Sequence, residues 1–61
     1  MNNLPKNPII LLSVINTKLR DYYDSLSSLC DDLDQSEDEI NNLLNNAGYY
    51  YDSEKNQFLK K

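Results

Sequence analysis

Covalent or metal chemistry needs nucleophiles, bases or ligands, and this chain of 61 residues holds few of them. It has no histidine and a single cysteine, Cys30. A reactive thiol needs a nearby base or cation to become a thiolate, and acidic residues follow Cys30 instead. Its place on an apolar helical stripe suits a small core residue. Carboxylates are abundant. Asp32, Asp34, Ser36 and Asp38 fall at a spacing of two, the opening pattern of a calcium-binding loop. The pattern then fails, because the glycine position of such a loop is Glu37 and its closing glutamate position is Leu43. Zinc needs Cys and His ligands that are missing. The chain is therefore expected to be no enzyme, to hold no metal and to need no cofactor. A pocket of about 300 Å³ or more is also expected to be hard to enclose in so short a chain.

Charge is unevenly distributed. The formal net charge is −4. All ten acidic residues lie between Asp21 and Glu54, a window without Lys or Arg. Lys6, Lys18 and Arg20 precede it; Lys55, Lys60 and Lys61 follow. An acidic surface keeps a small protein soluble and also suits a basic partner.

The elements that must position these groups can be read from spacing. Asn7-Pro8 is a helix start, with Asn as cap and Pro at the first helical position. A first helix is expected over about 8–22. Leu12, Ile15, Leu19 and Tyr22 form one stripe, and Ile9, Leu11 and Val14 widen it toward burial on more than one side. Lys18 and Arg20 suit the negative end of that helix. Ser25 caps a second helix, about 25–34, with Leu26, Leu29, Cys30 and Leu33 at i, i+3, i+4, i+7. Ser36 and Glu39 form a capping box for a third helix over about 37–47. It carries Ile40, Leu43, Leu44 and Ala47 on one side, and Gly48 stops it. Tyr49, Tyr50 and Tyr51 favour a strand. DSEKN is turn chemistry, with Asn56 suited to a left-handed position. A β-hairpin over 49–52 and 57–60 follows, with two of the tyrosines expected to cover the core. Residues 1–6 are expected to be a loose N-terminal arm on a single domain spanning 1–61.

Ile9 to Ile15 is too short to span a bilayer, which takes about 20 residues, and no cleavage signal follows it. The lone cysteine offers no disulfide framework, so a cytoplasmic location is expected.

The stretch from Ser25 to Gly48 resembles a helix-turn-helix. Cys30 stands where that family places a small residue, and Leu33, Ile40 and Leu43 stand at its buried positions. Asp34 replaces the usual turn glycine and Gln35 a usual aliphatic residue. With the hairpin, the mainly α chain resembles a small winged helix-turn-helix. Across nearly its whole length the chain also resembles a bacterial family known as a domain of unknown function, through LPK (Leu4 to Lys6), INTKLRDYY (Ile15 to Tyr23), LCDDL (Leu29 to Leu33) and GYYYDSEKNQF (Gly48 to Phe58). That resemblance implies a small bacterial protein and supplies no catalytic residues.

A helix-turn-helix would present Glu37, Asp38, Asn41, Asn42, Asn45 and Asn46 to a partner. Asparagines can read adenine edges in the major groove. Affinity for DNA, however, comes largely from cations that neutralise phosphates, and this helix has none. Lys18, Arg20, Lys55, Lys60 and Lys61 are the candidate phosphate contacts of a small transcriptional regulator, the alternative reading. The expected partner is instead a protein, either an unknown one or a second copy. The expected surfaces are the Glu37, Asp38, Asn41, Asn42 and Asn45 face, the tyrosine-rich hairpin, or the broad apolar side of the first helix.

Overall fold

The computed structural model describes residues 4–61. Three helices, α1 (Pro8–Asp21), α2 (Leu26–Leu33) and α3 (Glu37–Asn46), precede an antiparallel hairpin of β1 (Tyr49–Asp52) and β2 (Gln57–Lys60). The fold class and the hairpin bounds match the reading of the sequence. Each helix is one or two residues shorter than expected, because the flanking residues are caps.

Those caps are local chemistry. Asn7 Oδ1 accepts from the N–H groups of Ile9 (2.9 Å) and Ile10 (3.3 Å), and Pro8 opens α1. Ser25 Oγ accepts from Ser28 N–H at 3.0 Å and Ser36 Oγ from Glu39 N–H at 3.3 Å. Losing one such cap costs about 1 kcal/mol. Asp34 ends α2 in the left-handed conformation, φ 55°. Gln35 N–H then returns to the Cys30 carbonyl at 2.9 Å, the bond that closes a Schellman turn. Aspartate tolerates this region better than most side chains, so the turn forms without glycine. Asn56 (φ 54°) and Gly48 (φ 96°) take the other left-handed positions.

One core forms from every helix and from β2: Leu11, Ile15, Leu19, Leu26, Leu29, Cys30, Ile40, Leu44 and Phe58. Two expected positions are corrected. Tyr22 is 75% exposed, because the backbone leaves the helix there (φ −126°) and Tyr23 turns toward the core in its place. Leu43 is 38% exposed, because Ile40 and Leu44 point inward and the α3 stripe is narrower than its leucines suggest. The broad side of α1 is likewise not covered by the single chain: Ile9 and Ile10 remain more than half exposed. Of the N-terminal arm, residues 1–3 lie outside the described residues, whereas Leu4 packs against the core. Tyr49 and Tyr51 cover the core and Tyr50 faces outward.

A two-stranded hairpin is marginal alone, and here two asparagines fasten it. Asn16 on α1 receives the Phe58 N–H on Oδ1 (2.8 Å) and donates from Nδ2 to the Phe58 carbonyl (3.1 Å), as a neighbouring strand would. Asn56 donates to the carbonyls of Leu19 (3.1 Å) and Tyr23 (2.9 Å) at the end of α1. Its Oδ1 accepts from the Tyr51 hydroxyl, which in turn accepts from Leu26 N–H at the start of α2. Tyr51 also meets Phe58 ring to ring at 5.5 Å.

In urea unfolding, Asn56→Gly should cost about 1–3 kcal/mol, because it keeps the left-handed backbone but leaves two part-buried carbonyls without a donor. Asn56→Ala should cost about 1 kcal/mol more, through the strain of a Cβ at positive φ. Equal stability of Asn56→Gly and wild type would show that the clip carries no weight.

Candidate functional site

The face of α3 is set by its inward residues. With Ile40 and Leu44 buried, Glu37, Asp38, Asn42 and Asn45 are exposed and Asn41 is half-buried. The first turn carries Glu37, Asp38 and Glu39 together. Carboxylates there complement the positive end of the helix. They also make this end of the molecule strongly negative.

Lys6 lines a groove beside α3 together with Glu39, and the other five basic residues divide into two places. β2 runs alongside α1, with Asn56 at Leu19 and Tyr23 and Phe58 at Asn16. The hairpin turn with Lys55 therefore lies toward the end of α1 that carries Lys18 and Arg20. Lys60 and Lys61 lie at the other end of the strand, about 15 Å along it. Lys61 is held there by its N–H to the Gly48 carbonyl at 2.8 Å, and its Nζ lies 3.5 Å from the Asn45 carbonyl. Two members of the first group are already engaged. Arg20 pairs in two-pronged fashion with Asp21 at 2.9 and 3.0 Å. That hydrogen-bonded pairing raises the guanidinium pKa and lowers that of the carboxyl. Lys18 Nζ sits 6.0 Å from the centre of the Tyr22 ring.

The acidic run that resembled a calcium loop is put to other uses. Asp32 accepts from the Tyr23 hydroxyl, Asp34 is the left-handed turn residue, and Ser36 caps α3. Among the described residues, no three His, Cys, Asp or Glu side chains gather where a metal ion could be held. Cys30 is buried, and desolvation, with the charge of Glu37 behind it, pushes its thiol pKa up. The hydrogen bond to Asp32, with lost hydration next, pushes the Tyr23 phenol up as well.

An open groove of about 430 Å³ lies between residues 4–6 and α3. Leu4, Pro5, Ile40 and Leu43 line it, with Glu39 and Asn42 among its polar groups. It forms because Leu4 folds back onto the core and Leu43 stays outside it.

The residues that spacing did not single out are Asn16, Tyr23 and the Tyr51 hydroxyl. Asn16 and Asn56 do lie within the INTKLRD and NQF segments, and a polar residue between Ile15 and Leu19 was the available signal. Among the described residues, no helix is long and apolar enough to cross a membrane.

A compact frame of three helices and a hairpin, tied by side-chain amides, is thus the architecture of a small α-rich domain. The family model for a domain of unknown function, DUF4250, matches residues 5–58, and the chain belongs to that family. No curated protein and no solved structure matches it.

Two measurements check the electrostatics. Cys30 should react with a thiol reagent such as DTNB only on unfolding, so that native protein at pH 8 labels far more slowly than protein in urea. The Tyr23 contribution to stability should be complete below the ordinary phenol pKa of about 10. It should be lost as pH rises through the higher folded-state value. Tyr23→Phe should flatten the fall in Tm at the alkaline end, and an unchanged slope would show that the Asp32 bond is not felt.

Proposed function

We propose that this chain is a non-enzymatic protein-interaction module on a winged helix-turn-helix-like frame, working in the cytoplasm and presenting α3 to a protein partner rather than to DNA. The observation that carries this reading is the first turn of α3. It is wholly acidic, and in a helix-turn-helix this is the end of the second helix that would enter the major groove. The helix turn with left-handed Asp34 and the hairpin behind α3 support the frame. The partner surface is Glu37, Asp38, Asn41, Asn42 and Asn45. Its chemistry suits a basic, hydrogen-bonding protein surface. The side chains that would do chemistry elsewhere are used here to hold the fold, which supports a role without catalysis.

The alternative, a small DNA-binding regulator, would need Lys18, Arg20, Lys55, Lys60 and Lys61 to act together. Their division between two ends of β2, and the engagement of Arg20 by Asp21, weigh against it. Fluorescence anisotropy with a labelled duplex at low salt separates the two. The wild-type chain should show no saturable binding. Replacing Glu37 and Asp38 with Lys should raise non-specific DNA affinity at least several-fold, since each added phosphate contact steepens the salt dependence. Salt-sensitive binding by the wild type, abolished by Lys55→Ala with Lys60→Ala, would overturn the reading in favour of the regulator.

A further inference from the structure

The two edges of the hairpin differ. In an antiparallel pair, residues alternate between exchanging hydrogen bonds with each other and pointing their N–H and C=O groups outward. Lys61 N–H bonds to the Gly48 carbonyl, and the register pairs Tyr49 with Lys60, Tyr50 with Leu59 and Tyr51 with Phe58. Tyr50 and Leu59 therefore exchange bonds, while Tyr49, Tyr51, Phe58 and Lys60 point outward. The Asn16 side chain agrees, since it meets both outward groups of Phe58. It thereby closes the β2 edge. Among the described residues nothing does the same for the β1 edge. Among the described residues no hydrogen bond reaches the outward groups of Tyr49 and Tyr51, and such groups are seldom left unpaired when buried. An exposed edge of this kind is a template for another strand. Tyr49 to Tyr51 carry neither charge nor proline to discourage one.

We propose that the β1 edge pairs antiparallel with β1 of a second copy of this chain, about a twofold axis through Tyr50. This register sets Tyr49 opposite Tyr51 of the second copy, and the reverse, so that every outward group of both residues finds a partner. It joins the hairpins into one sheet with the order β2–β1–β1–β2. The side chains of Tyr50 and Leu59 lie on the outer face, away from Tyr51 and the core. Across the axis they form a continuous apolar row, which explains why Tyr50 is left 40% exposed in the single chain.

Charge complementarity selects the same arrangement. Asp52 falls opposite Gly48 of the second copy, not opposite another aspartate. One strand further along that row, on the same face, stands Lys61 of the second copy, which the Lys61–Gly48 bond places beside the glycine. Two strand spacings are about 10 Å, a gap that Asp and Lys side chains bridge over a residue with no side chain. The contact occurs twice by symmetry. Lys61 is exposed, and its long bond to the Asn45 carbonyl leaves the ammonium with further donors.

This pairing uses a surface separate from the α3 face, so either assignment can fail alone. Light scattering on the full chain across a range of concentrations should show a monomer–dimer equilibrium. Tyr50→Glu, which sets two carboxylates against each other at the axis, should give the monomer mass with an unchanged circular dichroism spectrum. Lys61→Glu should weaken the dimer several-fold. Paired residues that point their backbone groups away from each other bring Cα atoms to about 4.5 Å, within disulfide range. Tyr50→Cys should therefore form an intermolecular disulfide at least about tenfold faster than the hairpin-turn control Glu54→Cys. Buried Cys30 stays silent in both. A wild-type chain that is monomeric at every concentration would overturn the proposal. So would Tyr50→Cys crosslinking no faster than Glu54→Cys. In either case the α3 reading would stand on its own test.

Discussion

The exchange of two hydrogen bonds between Asn16 and the backbone of Phe58 is the constraint on which the rest depends. A four-residue strand pair cannot hold itself together in water, and three short helices of a chain this size bury little surface. An asparagine side chain sets an N–H donor beside a carbonyl acceptor, as a peptide group does. Placed on α1, it lets a helix act as the missing strand. Phe58 is thereby fixed over the core, and the hairpin lies alongside α1. Asn56 then locks the other end, joining the hairpin turn to the last turn of α1 and, through Tyr51, to the first turn of α2. The junctions of the hairpin with α1 and α2 are each made by a polar group that would be costly to leave buried and unpaired. That cost defines a single arrangement where a small apolar core alone would tolerate several.

The same arrangement decides where charge goes. The chain runs from α1 into an uninterrupted acidic middle, and the fold puts the most concentrated part of it on the first turn of α3. Of the cations, only Lys6 shares a groove with that turn, beside Glu39. Some lie near the end of α1 and the hairpin turn, and others near the end of α3. A surface of this kind repels phosphate backbones and favours basic protein surfaces. The frame alone would not have distinguished these outcomes, since one fold serves many functions.

Much of the fold was legible because it rests on local rules. Asn7-Pro8, Ser25 and Ser36 announce helix starts, since each solves the problem of unpaired N–H groups within a few residues. Asp34, Gly48 and Asn56 mark left-handed turns by side-chain sterics alone. The stripes of α2 and α3 named most of the core. Tyr22 and Leu43 were misplaced because periodicity gives a face but not its width. The groove beside α3 was not legible at all. It depends on Leu4 folding back across a distance that no local pattern encodes.

The sequence by itself determined the elements, their order, their caps and the segregation of acid from base, because these follow from neighbours within one or two turns. It also determined that no histidine, paired thiol or closed calcium loop is present, because those are matters of composition and spacing. Only the tertiary structure decided the roles of Asn16, Asn56 and Tyr51, whose partners lie up to 42 residues away. It alone decided which hairpin edge is closed and which is open, because strand parity depends on the register and on what α1 brings against β2. The physical reason is the same throughout. A cap or a turn is settled by the energy of a short segment, whereas the fate of a polar side chain is settled by whichever backbone group the fold leaves opposite it.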